Sequence, residues 1–214
     1  MRTSPLFTPP QAEIDALISR HPLALLVTAG ARGFDASPLP LLLERDSSGT
    51  AALLGHFARG NPQIEVLEAQ PEAMAFFLGP HGYISPSWLT DRTQAPTWNF
   101  CAVQMHVRVR IDRSPDAARE AVDRLTAHME AGRPNAWSPA DMGERYAKLL
   151  PAVVAFRAEV IAMQAKFKLG QNERPDVLAE ILAATSDAPA LHAAMRAANA
   201  GRLDVGAPPA MSEW

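Results

Sequence analysis

Between His81 and Phe100 the chain reads HGYISPSWLTDRTQAPTWNF, which places Tyr83, Trp88 and Trp98 among Ser85, Ser87, Thr97 and Asn99. Indole and phenol rings offer flat faces for stacking, and small hydroxyl and amide groups offer hydrogen bonds. A planar heteroaromatic ligand needs that combination. Pro86 and Pro96 exclude a regular helix and confine any strand to short pieces or edges. The competing reading is a structural loop whose rings plug the core.

Two other stretches bring cations. In GHFARGNP (55–62), Asn61 is a strong N-cap and Pro62 suits a first helical position, so Arg59 falls just ahead of a helix N-terminus. Free N–H groups and a guanidinium there would suit a phosphate; ordinary capping with a solvated Arg59 is the alternative. In AKFKLGQN (165–172), an extended backbone puts Lys166 and Lys168 on one face, opposite Phe167 and Leu169, with Gln171 and Asn172 following Gly170. The pair could hold a phosphate or a polar ring edge, or serve as solvated edge-strand gatekeepers. No residue stands out as a catalytic acid or base. His56 and His106 are candidates by type, each with a structural role as the competing reading.

Composition narrows the class. Of 214 residues, 48% are apolar and 20% charged, enough for a real core, and the formal net charge is −3. Basic residues are dispersed, so no broad electrostatic surface for DNA is expected. The single cysteine, Cys101, excludes an internal disulfide and a cysteine zinc cage, and no metal site is expected. No apolar run approaches the ~20 residues of a membrane span, and the N-terminus lacks a signal-peptide layout. A reducing cytoplasm is the expected setting.

The elements that must position these groups follow from periodicity. Thr8-Pro9-Pro10-Gln11 starts a helix with Ile14, Leu17 and Ile18 on one stripe, ending at His21-Pro22. Strands are expected at 23–29, 34–43 and 50–57, forming a meander with turns at 30–33 and 46–49. Pro38 and Pro40 mark the second strand as facing a ligand or a partner subunit. Further strands are expected at 73–78, 98–111 and from 153 to 169. Cys101, Val103, Met105, Val107, Val109 and Ile111 form an apolar face opposite Gln104, His106, Arg108 and Arg110. Helices are expected after Ser114-Pro115 (Val122, Leu125 and Met129 inward), after Ser138-Pro139, and at 175–184 and 188–200. The tail GAPPAMSEW reads as weakly ordered. This order suggests an α+β arrangement, an antiparallel barrel with peripheral helices.

GHFARGNP, GYISPSWL, APTWNF and KFKLGQN, in that order, resemble the PaiB-like family of FMN-binding negative transcriptional regulators over roughly residues 1–185. The resemblance implies an antiparallel split β-barrel of the pyridoxamine-phosphate-oxidase type. It implies a homodimer, with FMN held at the subunit interface by residues of an FMN-binding domain at 1–172. A helical extension at 173–214 would pack on the same domain. Carried over by motif, the cofactor-binding residues would be His56, Arg59, Asn61, Ser85, Ser87, Trp88, Thr97, Trp98, Asn99, Lys166, Lys168, Gln171 and Asn172. The chain departs from the pattern at Leu89, where a Tyr is usual, at Gly170 in place of Ser, and in keeping only Arg92 between the Trp motifs.

Three functions are in competition. The first is a flavoprotein, either an FMN-dependent oxidoreductase acting on an unidentified small molecule or a flavin-linked regulator. The second is a transcriptional regulator, with direct DNA contact not expected. The third is a haem-binding split barrel, for which His192 or His128 would be the axial ligand.

Overall fold

In the computed structural model, residues 1, 4–31, 33–46 and 49–203 are described. They form two compact units, a larger one of residues 12–77 and 103–164 and a smaller one of residues 1–11, 78–102 and 165 onward. Arg32, Ser47, Ser48 and the tail after Leu203 lie outside the described residues, and with them parts of the two expected turns and all of GAPPAMSEW.

In the larger unit, α1 (Gln11–Arg20) buries Ile14, Leu17 and Ile18 as its spacing predicts. β1 (Leu23–Gly30) and β2 (Gly33–Pro40) form an antiparallel hairpin, registered from Leu23 against Pro40 to Gly30 against Gly33. Gly33 has φ 108°, a conformation that favours glycine. β3 (Leu42–Arg45) pairs with β4 (Ala51–Ala58), and β4 pairs with β7 (Val153–Lys168). β1 pairs on its other side with β5 (Glu72–Ile84), which neighbours β6 (Thr97–Asp112). The strand order is β2-β1-β5-β6-β7-β4-β3.

Consecutive segments pair as the expected meander requires, 23–30 with 33–40 and 42–45 with 51–54, with one difference. The second strand breaks at Leu41, and its two halves become opposite ends of the sheet. A single residue therefore links the two outermost strands, and the sheet must curl until its ends meet. The result is an antiparallel barrel. Leu41 itself is fully buried, with its N–H on the carbonyl of Pro22 at 2.8 Å.

The barrel interior follows the period-two alternation of its strands. Leu26, Leu53, Phe57, Phe77, Met105 and Phe156 are fully buried, each contributing about 1.5–3 kcal/mol through burial. The Phe57 and Phe156 rings lie 4.8 Å apart. Gly55 lets strands and core approach closely: a Cβ there would stand 2.5 Å from Leu41 Cδ2 and 2.7 Å from Phe156 Cζ.

The predicted apolar face of β6 is spent on this core. Val103, Met105, Val107 and Val109 are all buried. The exposed apolar face lies instead on β1, β2 and β5. Leu25 stands opposite both Pro38 and Phe76, Val27 stands opposite Met74, and Phe34 is 83% exposed.

α3 (Pro115–Glu130) is capped by Ser114, whose hydroxyl accepts from Ala117 N–H at 3.3 Å. It buries Ala118 and Ala121, while Met129 of the predicted stripe is 45% exposed. Ser138 opens only a short 3-10 turn, Pro139–Met142, and Gly143 at φ 55° breaks the expected helix before α4 (Glu144–Leu149).

In the smaller unit, the end of β5 runs through Gly79 and Pro80 to Ile84, six residues beyond its predicted limit. The loop is thereby shortened to a 3-10 turn, Pro86–Trp88, and the residues up to Thr97. The ends of β6 and β7 carry Thr97–Ala102 and Ala165–Lys168. After them come α5 (Pro175–Ala184), α6 (Pro189–Ala198) and α7 (Ala200–Leu203). Gly201 lies within α7.

Candidate functional site

The smaller unit brings together residues of two predicted motifs. Lys168, near the end of β7, donates its ammonium to the Thr97 hydroxyl and to the Trp98 carbonyl, the latter at 3.3 Å. Burial draws the Lys168 pKa down, Glu173 pushes it up, and the charge of Lys166 lowers it again. Lys166 lies 5.6 Å from the centre of the Phe7 ring and 5.9 Å from that of Phe100. These distances suit cation–π attraction.

Trp98 is 54% exposed although it sits in a strand. Its ring centre lies 6.1 Å from that of Tyr83 and 6.4 Å from that of His81, the latter pair nearly parallel. His81 Nδ1 is fixed at 2.9 Å from the Gly79 carbonyl. Beside this group is a cavity of about 280 Å³, lined by Thr97, Lys168 and Asn172, with Leu89, Val177 and Ile181 among its apolar walls. Leu89, the departure from the family's usual Tyr, is a buried part of that wall.

The remaining motif residues of this unit shape the backbone. Ser85 Oγ accepts from Ser87 N–H at 3.2 Å and lies 2.7 Å from Ser87 Oγ, capping the turn that carries the exposed Trp88. Asn99 is buried and turns its amide to Met195 Sδ at 3.5 Å. Gln171 closes on its own loop, accepting from Leu169 N–H and donating to the Phe167 carbonyl, both at 2.7 Å. Asn172 is exposed, with Nδ2 at 3.5 Å from Glu173 Oε1.

In the larger unit, Arg59 is exposed, but its Nε donates to the Pro151 carbonyl and its Nη2 lies 3.5 Å from that of Val153. α2 (Gln63–Ala69) has only seven residues. Asn61 caps it, accepting from Gln63 N–H at 2.9 Å and donating to the Ser37 hydroxyl at 2.9 Å. Asn61 thus occupies the cap of α2, and backbone carbonyls anchor one side of the Arg59 guanidinium. His56 buries Nδ1 without a hydrogen-bond partner among the described residues, and desolvation lowers its pKa. His106 instead lies exposed, its Nε2 at 3.0 Å from Glu72 Oε2.

Sequence reasoning missed several residues that hold these positions. Gln63, 1% exposed, donates to Leu26 O, Thr28 Oγ1 and Asp35 O at 3.0–3.1 Å, fastening α2 to the barrel. His81 flanks Trp98 together with Tyr83, a ring that the sequence did single out, and their period-two spacing within an extended β5 was the available signal for the histidine. Asp91 gathers Thr93, Gln94 and Arg174, which hold its carboxyl well below the usual range. Of the haem candidates, His128 places Nε2 at 2.7 Å from Ser19 O and His192 places Nδ1 at 3.0 Å from Leu182 O. Among the described residues no cluster of three metal-ligating side chains occurs, and no helix is long and apolar enough to cross a membrane.

An indole face beside a half-buried ammonium fits the ring and the anionic groups of a phosphorylated flavin in kind. A cavity of about 280 Å³ falls just short of the roughly 300–1,000 Å³ of pockets that enclose a whole ligand.

Comparisons with known proteins bear on the fold and the family. The chain is 36% identical over 124 residues to the protease synthase and sporulation protein PAI 2 of Bacillus subtilis, a match covering 56% of this chain and 58% of that protein. The chain thus spans somewhat over half of that curated relative. The structure of the FAD and haem binding protein from Mycobacterium smegmatis superposes with TM-score 0.60 at 19% identity, covering 82% of this chain and 78% of that one. The flavocytochrome Anf3 from Azotobacter vinelandii gives TM-score 0.57 at 16% identity, covering 74% and 67%. At such identities these two speak for the fold alone. The family profile FMN_bind_2, described as "Putative FMN-binding domain", matches residues 1–162, and the chain belongs to that family, the PaiB-like group of flavin-binding split barrels that its four motifs resemble.

Proposed function

We propose that this protein binds FMN as a homodimer and uses it in redox chemistry or in flavin-linked regulation. The observation that carries this reading is the joined Lys168–Thr97–Trp98 group. A cation and a hydroxyl are fixed at the root of an exposed indole in a chain of the FMN-binding family. In this reading Trp98 and Trp88 offer their faces to the isoalloxazine, and Lys166, Lys168 and Asn172 meet its polar edge or its phosphate. Arg59, anchored by backbone carbonyls, presents the outer side of its guanidinium to an anion. Ser85, Ser87, Asn61, Asn99 and Gln171 act by holding loops and caps in place. His56, whose Nδ1 is buried with no partner among the described residues, shares the motif of Arg59 and Asn61.

The bound flavin would supply hydride or electron transfer, and the protein's part is to hold and desolvate it. The apolar outer face around Leu23, Leu25 and Phe34 supports the dimer, since side chains this exposed gain most from a second copy. One buried cysteine and the lack of an apolar helix long enough to span a bilayer among the described residues support a cytoplasmic setting.

The visible spectrum of the purified protein, with and without added FMN, tests the cofactor, and light scattering tests the dimer. A colourless protein whose FMN titration gives no binding signal ends the proposal. A second reading rests on the name of the Bacillus relative, which ties that protein to protease synthesis and sporulation. Mobility shifts on DNA at several salt concentrations test it, because real phosphate contacts give a steep salt slope.

A further inference from the structure

We infer that Arg202 and Asn199, in and just before α7, are positioning residues that hold the Leu169–Glu173 loop in its working shape. The inference rests on the FMN reading only in so far as that loop carries Asn172, and adjoins Lys168, at the cofactor. Both residues, and the loop itself, lie beyond the 1–162 stretch that the family profile matches.

The argument begins with backbone carbonyls. β7 ends at Lys168 and α5 starts at Pro175, so the carbonyls of 169–173 lie outside both ladders, and of these Gly170 O accepts one backbone bond, from Glu173 N–H at 3.1 Å. Arg202 Nη1 donates to Gly170 O at 3.1 Å and Gln171 O at 3.0 Å, and Nη2 donates to Glu173 O. Asn199 Nδ2 donates to Leu169 O at 3.0 Å, while its Oδ1 accepts from Arg202 Nη1 at 2.8 Å. Two side chains thus cover four carbonyls of a five-residue loop, and Asn199 is only 1% exposed. A planar guanidinium spreads its donors over a wide, fixed fork that reaches all three carbonyls, whereas the three donors of an ammonium radiate from one compact point.

Gly170 completes the turn at φ 85°, and a Cβ there would press on Leu178 Cδ1 at 3.2 Å. The usual Ser of the family would be strained at this position. α6 also receives the Asn99 amide on Met195, so one helical segment steadies residues of both the Trp and the Lys motifs. A loop fixed before its ligand arrives loses less freedom on binding, and that saving appears as affinity.

The test compares full-length wild type, Arg202→Ala, Arg202→Lys and the control Arg196→Ala. Amide exchange is read on flavin-free protein at Leu169 and Glu173, whose N–H groups bond within the loop, and FMN affinity is read by flavin fluorescence. Arg202→Ala is expected to speed exchange at both amides and weaken FMN binding about tenfold, with Arg202→Lys intermediate and Arg196→Ala unchanged. Unchanged exchange in Arg202→Ala overturns the latch, and faster exchange with wild-type FMN affinity overturns its role in cofactor binding. Should wild type bind no FMN, the cofactor reading fails and exchange alone decides the latch. Arg202→Lys carries the same readouts if Arg202→Ala does not fold.

Discussion

Lys168 and Thr97, 71 positions apart in sequence, share a hydrogen bond from ammonium to hydroxyl. It ties the motif that closes β7 to the motif that opens β6, at the foot of the exposed Trp98 ring. Replacing Lys168 with Met removes the cation and leaves the stem, and Thr97→Val removes the acceptor. Lys168→Met is expected to weaken FMN by about tenfold or more, and Thr97→Val by less, in a fluorescence titration. Equal wild-type affinity in both variants would exclude this pair from the site.

Trp98 presents more than half of its surface to solvent, so little folding energy rests on it. Trp98→Ala should leave the thermal midpoint nearly unchanged. Losing an aromatic stacking platform costs about 1–3 kcal/mol, so FMN affinity should fall about tenfold or more. Trp137→Phe, at an exposed indole of the larger unit, is the control and should change neither.

Gly55→Ala tests the packing of the barrel. The added methyl meets Leu41 on one side and Phe156 on the other, both buried and unable to swing away. Overpacking of this kind costs about 1–3 kcal/mol, to be read from the midpoint of urea unfolding. A variant as stable as wild type would mean that the core yields more easily than its contacts suggest.

His56 predicts an acid sensitivity. Burial lowers its folded pKa below the ordinary 6.5, so the unfolded chain takes up a proton first as pH falls. The stability tied to the neutral ring is present above pH 6.5 and is lost as pH falls through the lower folded value. His21, lowered by burial and by Arg20, acts in the same direction. Unfolding free energies measured between pH 8 and about pH 5 should decline on acidification, and His56→Gln should flatten part of that decline while His21 keeps the rest.

Local patterns were legible wherever the chain obeys one rule at a time. The Ile14–Leu17–Ile18 stripe, the alternation of β6 and the Pro175 helix start all appear where the residues place them. What depended on distant partners was not legible. Leu41 gives no sequence sign that it divides one strand into two ends of a sheet, because its burial comes from closure of the barrel. Arg59 reads as a free cation at a helix end, yet the carbonyls that hold it come some ninety residues later. Arg202 and Asn199 look like ordinary helix surface in an Ala-rich segment, and only the fold brings the Lys168 loop to them.

The one-residue passage at Leu41 also bears on how the protein resists fibril growth. A foreign strand can add only to a sheet that has an open margin, and here the two margins are neighbours along the chain. Prolines at positions 38 and 40 further deprive one of them of amide donors. Cutting the backbone at residue 41 would therefore do more than loosen a loop: it would free two adhesive rims, and clumping, rather than lost colour, would be the first sign of damage.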